Sequence, residues 1–174
     1  AIPWSPDNKA VLQTKDGFSL EGAHTISQVA NTYTEEYDLQ ADSVMLYIQS
    51  IASAQSMADS WKDSGRDLSV MIAAGRDAGD EYFNTYPERE KKDVHTNQDG
   101  TLKLHSGTTY YMLPTRYYAR YKLDLVKKAC EFEPTYLCIE EPEVFVYATY
   151  ADGFKEEWED YYNEPWQDPL SSAE

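Results

Sequence analysis

The chain has 174 residues, 41% hydrophobic and 26% charged, enough for a domain with its own core and unlike the composition of a disordered chain. Its 31 acidic residues against 15 basic ones give a formal net charge of -16, which disfavours nucleic-acid backbones and anionic membrane surfaces as partners. No apolar run approaches the ~18 residues of a membrane-spanning helix, and no signal-peptide pattern stands at the start.

The first seventeen residues, AIPWSPDNKAVLQTKDG, hold two prolines and little periodicity, and they read as an extended lead-in over 1–17. Phe18 to Ile26 reads as a short strand and turn. SVMLYIQS, Ser43 to Ser50, is a buried-strand run. In the next segment Ile51, Ala54, Met57, Ala58 and Trp61 recur at helical spacing, with Gly65 placed as a C-terminal cap. LSVMIAAG, Leu68 to Gly75, is another continuous apolar run, so the order strand, helix, strand predicts parallel pairing through a right-handed crossover.

From Arg76 to about Pro114 the chain turns polar, with NQDGTLKL marking a turn into a small hairpin. A long excursion beyond a strand's C-terminal end is where α/β proteins place binding loops. Thr115 to Phe132 is a strong helix, with Tyr118, Tyr121, Leu125 and Ala129 inward and Arg116, Arg120, Lys122 and Lys127 toward water. YLCIEE supplies the next strand, an apolar run that reads as buried. ADGFKEEWEDYYNEPW then reads as an amphipathic helix with Phe154, Trp158 and Tyr161 on one face, ended by prolines. The tail over 166–174 reads as polar and frayed. Cys130 and Cys138 form neither a disulfide framework nor a zinc pattern and read as buried thiols.

The fold class is therefore α/β, built of parallel (β/α) units over 18–165. Eight such units close a TIM-type barrel in ~250 residues, so this chain holds about half of one. An open half-barrel exposes parallel-sheet edges, which favours a second half, a partner chain or self-association.

In parallel α/β architectures ligands lie beyond the carboxyl ends of the strands. The runs end in Gln49 and Ser50, in Arg76 and Asp77, and in Glu140, Glu141 and Glu143, with Pro142 fixing the turn. Clustered carboxylates, partly buried, suit general-acid chemistry. Arg76 is a plausible charge partner, and Asp77 could anchor it or bond substrate hydroxyls. Acidic strand ends also serve as caps and solvated turns, and Arg–Asp pairs brace loops, so spacing alone leaves both readings open. His24, His95 and His105 lack metal-ligand spacing, and no phosphate loop, hydrolase elbow or calcium loop is present, so no metal or cofactor is expected.

IEEPE resembles the end of the fourth strand in the large clan of (β/α)8-barrel glycoside hydrolases, where an Asn-Glu-Pro motif carries the acid/base glutamate. VMIAAGRDAGDEY is similar to a third-strand region of such barrels, and GFKEEWEDYYNEPWQDP to a helix and turn after the acid/base strand. The resemblance implies Glu141 as acid/base and Pro142 as the motif proline, with Glu140 where the usual Asn binds the sugar 2-hydroxyl. Arg76, Asp77, Glu140, Glu143 and Gln49 fall at the rim as carbohydrate-binding residues. It also implies a nucleophile from the seventh strand, outside this chain, and an extracellular or cell-envelope location. The alternatives are a non-catalytic carbohydrate-binding protein and an acidic self-assembling structural protein.

Overall fold

The computed structural model describes residues 25–39, 41–77, 81–143, 145 and 148–171. The lead-in over 1–17 and most of the first predicted strand lie outside them. The chain divides into two compact units, Ala1–Ile72 with Lys127–Ile139, and Ala73–Val126 with Glu140–Glu174.

The first unit is organised by a four-stranded parallel sheet in the order β1 (Ile26–Val29), β2 (Ser43–Ile48), β3 (Asp67–Ala73) and β7 (Leu137–Glu140). β1 pairs in parallel with β2 from Ile26 opposite Ser43, and β2 with β3 from Ser43 opposite Asp67 to Ile48 opposite Ile72. The β3–β7 hydrogen bonds run the same way: Thr135 N–H donates to Leu68 O, Val70 N–H to Tyr136 O and Ala74 N–H to Glu140 O, at 2.8–2.9 Å. β3 is buried at every residue but Asp67, as expected of a parallel strand covered on both faces.

Helix α1 (Ile51–Lys62) follows β2 and buries Ala54, Met57, Ala58 and Trp61, four of the five residues that set its predicted period. Ser50 caps its start by accepting the Ser53 N–H at 3.2 Å. Gly65, at φ 75°, ends the turn beyond it. The β1–β2 connection shows no helix among its described residues. It lies on α1 instead, where Trp61 Nε1 donates to Asn31 O at 2.8 Å and Tyr33 stands edge-on to the indole at 5.1 Å.

β7 corrects two expectations. Ile139 is 49% exposed and no residue of Leu137–Glu140 is buried, so this strand is not buried. Cys138 on β7 and Cys130 at the end of the long helix are both exposed, not buried thiols. β7 stands last in the strand order, so no neighbouring strand covers its outer side among the described residues.

The second unit contains a three-stranded antiparallel sheet in the order β4 (Arg76–Asp77), β6 (Thr109–Tyr111) and β5 (Leu104–Ser106). Gly107, at φ 53°, turns the β5–β6 hairpin. Helix α2 (Glu81–Thr85), a 3₁₀ turn over Pro87–Arg89, most of helix α3 (Arg116–Cys130) and helix α4 (Asp152–Tyr162) complete the unit. Its core is unusually aromatic: the ring of Tyr82 lies 5.2–5.6 Å from those of Phe83, Tyr86, Tyr118 and Tyr121.

On α4, Tyr161 is 81% exposed and does not share an inward face with Phe154 and Trp158, both of which are themselves only half-buried. The following tail is pinned over its first residues. Trp166 packs on Tyr150 at 5.2 Å, and Asp168 accepts the Tyr150 hydroxyl at 2.6 Å and the Leu170 N–H at 2.9 Å.

Candidate carboxylate site at the strand ends

β3 and β7 run side by side, so their ends deliver side chains to one place. After Ala73 the chain stays close to the end of β7: a side chain at Gly75 would stand 3.4 Å from Glu141 O and 3.5 Å from Glu143 N. Gly75 O accepts the Met112 N–H at 2.8 Å, which starts Arg76 along β4. At the tip of β7, Glu141 adopts a left-handed backbone, φ 44°, a conformation that non-glycine residues rarely take. That turn aims Glu140, Glu141 and Glu143 at one guanidinium. Arg76 pairs with Glu141, approaches Glu140 at 3.7 Å, and its Nε approaches Glu143 at 3.7 Å.

The cluster is partly open. The Arg76 side chain is 13% exposed and that of Glu141 50%. Arg76 Nε, Glu140 Oε2 and Glu143 Oε2 are buried and make no hydrogen bond among the described residues. Tyr111, opposite Arg76 in β6, places its phenol beside Glu143. Burial first, then the neighbouring carboxylate, raises its pKa above the ordinary tyrosine value.

The backbone carbonyl of Arg76 anchors a second group. Tyr118 Oη donates to it at 2.7 Å and Lys122 Nζ at 3.0 Å. Lys122 was expected to face water. It folds back over the rings of Tyr118 and Tyr121, 5.2 and 5.5 Å from their centroids, because an acceptor and two carboxylates await it inside. Burial pulls its pKa down to about 8, against the attraction of Asp77 and Glu81. Asp77 is fully buried, and Tyr121 donates its hydroxyl to Glu81.

Five of the six predicted site residues thus lie in one unit, four of them in direct contact and Asp77 next along the chain. Gln49, beyond β2, belongs to the first unit and is half-buried. No group of three His, Cys, Asp or Glu residues suited to a metal occurs among the described residues.

Sequence reasoning missed a second arginine centre. Arg89 reaches Asp93 through Nε at 3.0 Å and through a second nitrogen, and also pairs with Glu156; Tyr82 donates to the same aspartate. Arg89 and Asp93 are both buried, and the guanidinium stacks 4.3 Å over Tyr117. Their i,i+4 spacing was the only local signal, and it sits in a run of six charges, EREKKD, that reads as solvated loop. His95, which lacks metal-ligand spacing in the sequence, is a core residue. Its Nδ1 lies 3.2 Å from Ala148 O, its ring meets Phe145 edge-on, and burial lowers its pKa.

No family model, curated protein or solved structure matches the chain. The functional reading therefore stands on the geometry of the strand ends.

Proposed function

We propose that the chain is part of a glycoside hydrolase-like (β/α) barrel that acts on or binds carbohydrate, with Glu141 as general acid/base. The observation that carries this reading is the meeting of two neighbouring parallel strand ends, which brings Arg76 from one and Glu140, Glu141 and Glu143 from the other into one partly open cluster. Strand order supports the architecture. β1-β2-β3-β7 follows the chain, whereas a doubly wound sheet reverses direction at a switch point. The outer edge of β7, which no strand covers among the described residues, supports a further strand beside it, from a second half-barrel, a partner chain or a second copy.

In this reading Glu141, half-exposed at the turn, gives its proton to the glycosidic oxygen as the bond to the sugar breaks. Arg76 Nε, Glu140 and Glu143 offer a donor and acceptors to the sugar hydroxyls. Glycoside hydrolysis needs a second carboxylate, ~5 Å away in retaining enzymes. The proposal assigns it to the part of the barrel that adjoins β7. The test is hydrolysis of aryl glycosides by the intact protein: Glu141→Gln should lower turnover by about 10²- to 10⁴-fold. Equal turnover in the two proteins sinks the assignment. One observation favours a non-catalytic carbohydrate-binding protein instead: Glu141 is ion-paired to Arg76, an arrangement that equally well braces a loop. That reading expects sugar binding and no turnover in the unaltered protein.

A further inference from the structure

A cleft on the opposite side of the β4–β6 ribbon has chemistry that the carboxylate cluster does not use. Residues paired across an antiparallel ribbon project to the same face, and successive residues to opposite faces. Arg76 pairs with Tyr111 and Asp77 with Tyr110. Tyr111 therefore lies with Arg76 beside Glu143, while Tyr110 turns the other way and meets Phe83 of α2 edge to face at 5.8 Å. Phe83, Tyr110 and Pro87, together with Asn84, Glu90 and Lys91, line an open cleft of about 290 Å³. That is close to the lower end of the ~300–1,000 Å³ range of small-molecule sites.

The walls divide the work in a way that selects a ligand class. The half-buried ring of Tyr110, backed edge to face by Phe83, and Pro87 give apolar surface, which suits the C–H face of a sugar ring. Asn84 offers a donor and an acceptor on one amide. Glu90 and Lys91, 3.7 Å apart, present an acceptor and a donor side by side, as vicinal hydroxyls require, and their charges cancel. Nothing in the cleft offsets the repulsion that a net charge of -16 exerts on an anion. Lys91 is also held at φ 62°, a left-handed position that favours glycine, in the turn that the buried Arg89–Asp93 pair closes. A lysine kept there against backbone preference is placed for its side chain.

We propose that this cleft binds a neutral sugar ring, stacked on Tyr110 and hydrogen-bonded by Asn84, Glu90 and Lys91, at a surface separate from the Arg76 carboxylates. The ligand class rests on the carbohydrate reading above; the site does not. The test is calorimetric titration of the intact protein with cellohexaose, xylohexaose, maltohexaose and chitohexaose. At least one should bind the unaltered protein, and bind Tyr110→Ala about tenfold or more weakly. Lys91→Gly should also weaken binding, yet melt no lower than the unaltered protein, which shows that the loss is not unfolding. Binding lost in Glu141→Gln and kept in Tyr110→Ala overturns the cleft while leaving the carbohydrate reading in place. Binding of none of the four also overturns it, and aryl-glycoside hydrolysis then decides the carboxylate cluster independently.

Discussion

Arg89 and Arg76 both sit among carboxylates in the second unit, one sealed and the other open. The Arg89 side chain is 5% exposed, its main partner Asp93 is fully buried, and Nε and a second nitrogen grip that aspartate in a fork. Arg76 faces three glutamates, one of them half-exposed, and its Nε makes no hydrogen bond among the described residues. The first arrangement uses up its hydrogen-bonding capacity on itself and can only hold structure. The second sets three carboxyl groups against one cation, and keeps polar atoms in reserve. Surplus at an accessible strand end is what a binding or catalytic group needs, and saturation in a core is what a brace needs.

The largest effect expected from breaking this contrast lies at Arg89. Arg89→Met leaves Asp93 charged and buried, which should cost about 3–5 kcal/mol in urea unfolding. Gly153→Ala probes the same brace from the other side, because its new methyl would run into the Asp93 carboxylate and stand 2.8 Å from the Arg89 guanidinium. Glu141→Gln should stay within about 0.5 kcal/mol of the unaltered protein, as a half-exposed ion pair contributes little. Equal losses at the two centres would erase the distinction.

Lys122 sharpens the comparison through pH. Its folded pKa of about 8 lies below the ordinary 10.5, so between these values the unfolded chain binds the extra proton. Stability should therefore rise with pH across that window, by at most about 3 kcal/mol, and the penalty should be fully present below pH 8. Lys122→Met removes this slope. Urea midpoints of both proteins at pH 7, 8, 9 and 10 measure it, with the unaltered protein gaining on the variant toward pH 10. Parallel curves would place the amine in water, as its position among Arg116, Arg120 and Lys127 first suggested.

The elements that sequence revealed are those with a strong period or an unbroken apolar run. α1, α3, β2 and β3 fall where Trp61, Leu125, Leu46 and Val70 put them, because burial of those residues is decided locally. The glutamates at the end of β7 were equally legible: a parallel strand next to β3 has to end beside Arg76. The Arg89 brace was not legible, since Arg89, Asp93, Glu156 and Gly153 are brought together from two distant segments and each alone resembles solvated surface. Lys122 failed for a related reason. A helical period says which face a residue occupies, but a four-carbon stem can carry its amine around to a buried acceptor. The exposure of β7 was hidden as well, because an apolar run reads the same whether its neighbour is in the chain or beyond it.

A backbone comparison at the same position tests whether Glu141 is held at its turn for a reason other than stability. At φ 44° a side chain costs roughly 1–2 kcal/mol relative to a right-handed conformation, and glycine escapes that cost. Glycine also loses more backbone entropy on folding, by about 0.5–1 kcal/mol. Replacing Glu141 by either glycine or alanine removes the Arg76 ion pair, so comparing the two variants cancels it and leaves the backbone term. Glu141→Gly should then be the more stable by about 0.5–1 kcal/mol, the reverse of the usual ranking. If alanine proves equal or better, the turn is not strained, and position 141 gives no sign that a glutamate is kept there at the expense of the fold. If glycine wins while both variants lose aryl-glycoside turnover, the chain carries a residue that its stability alone would have replaced.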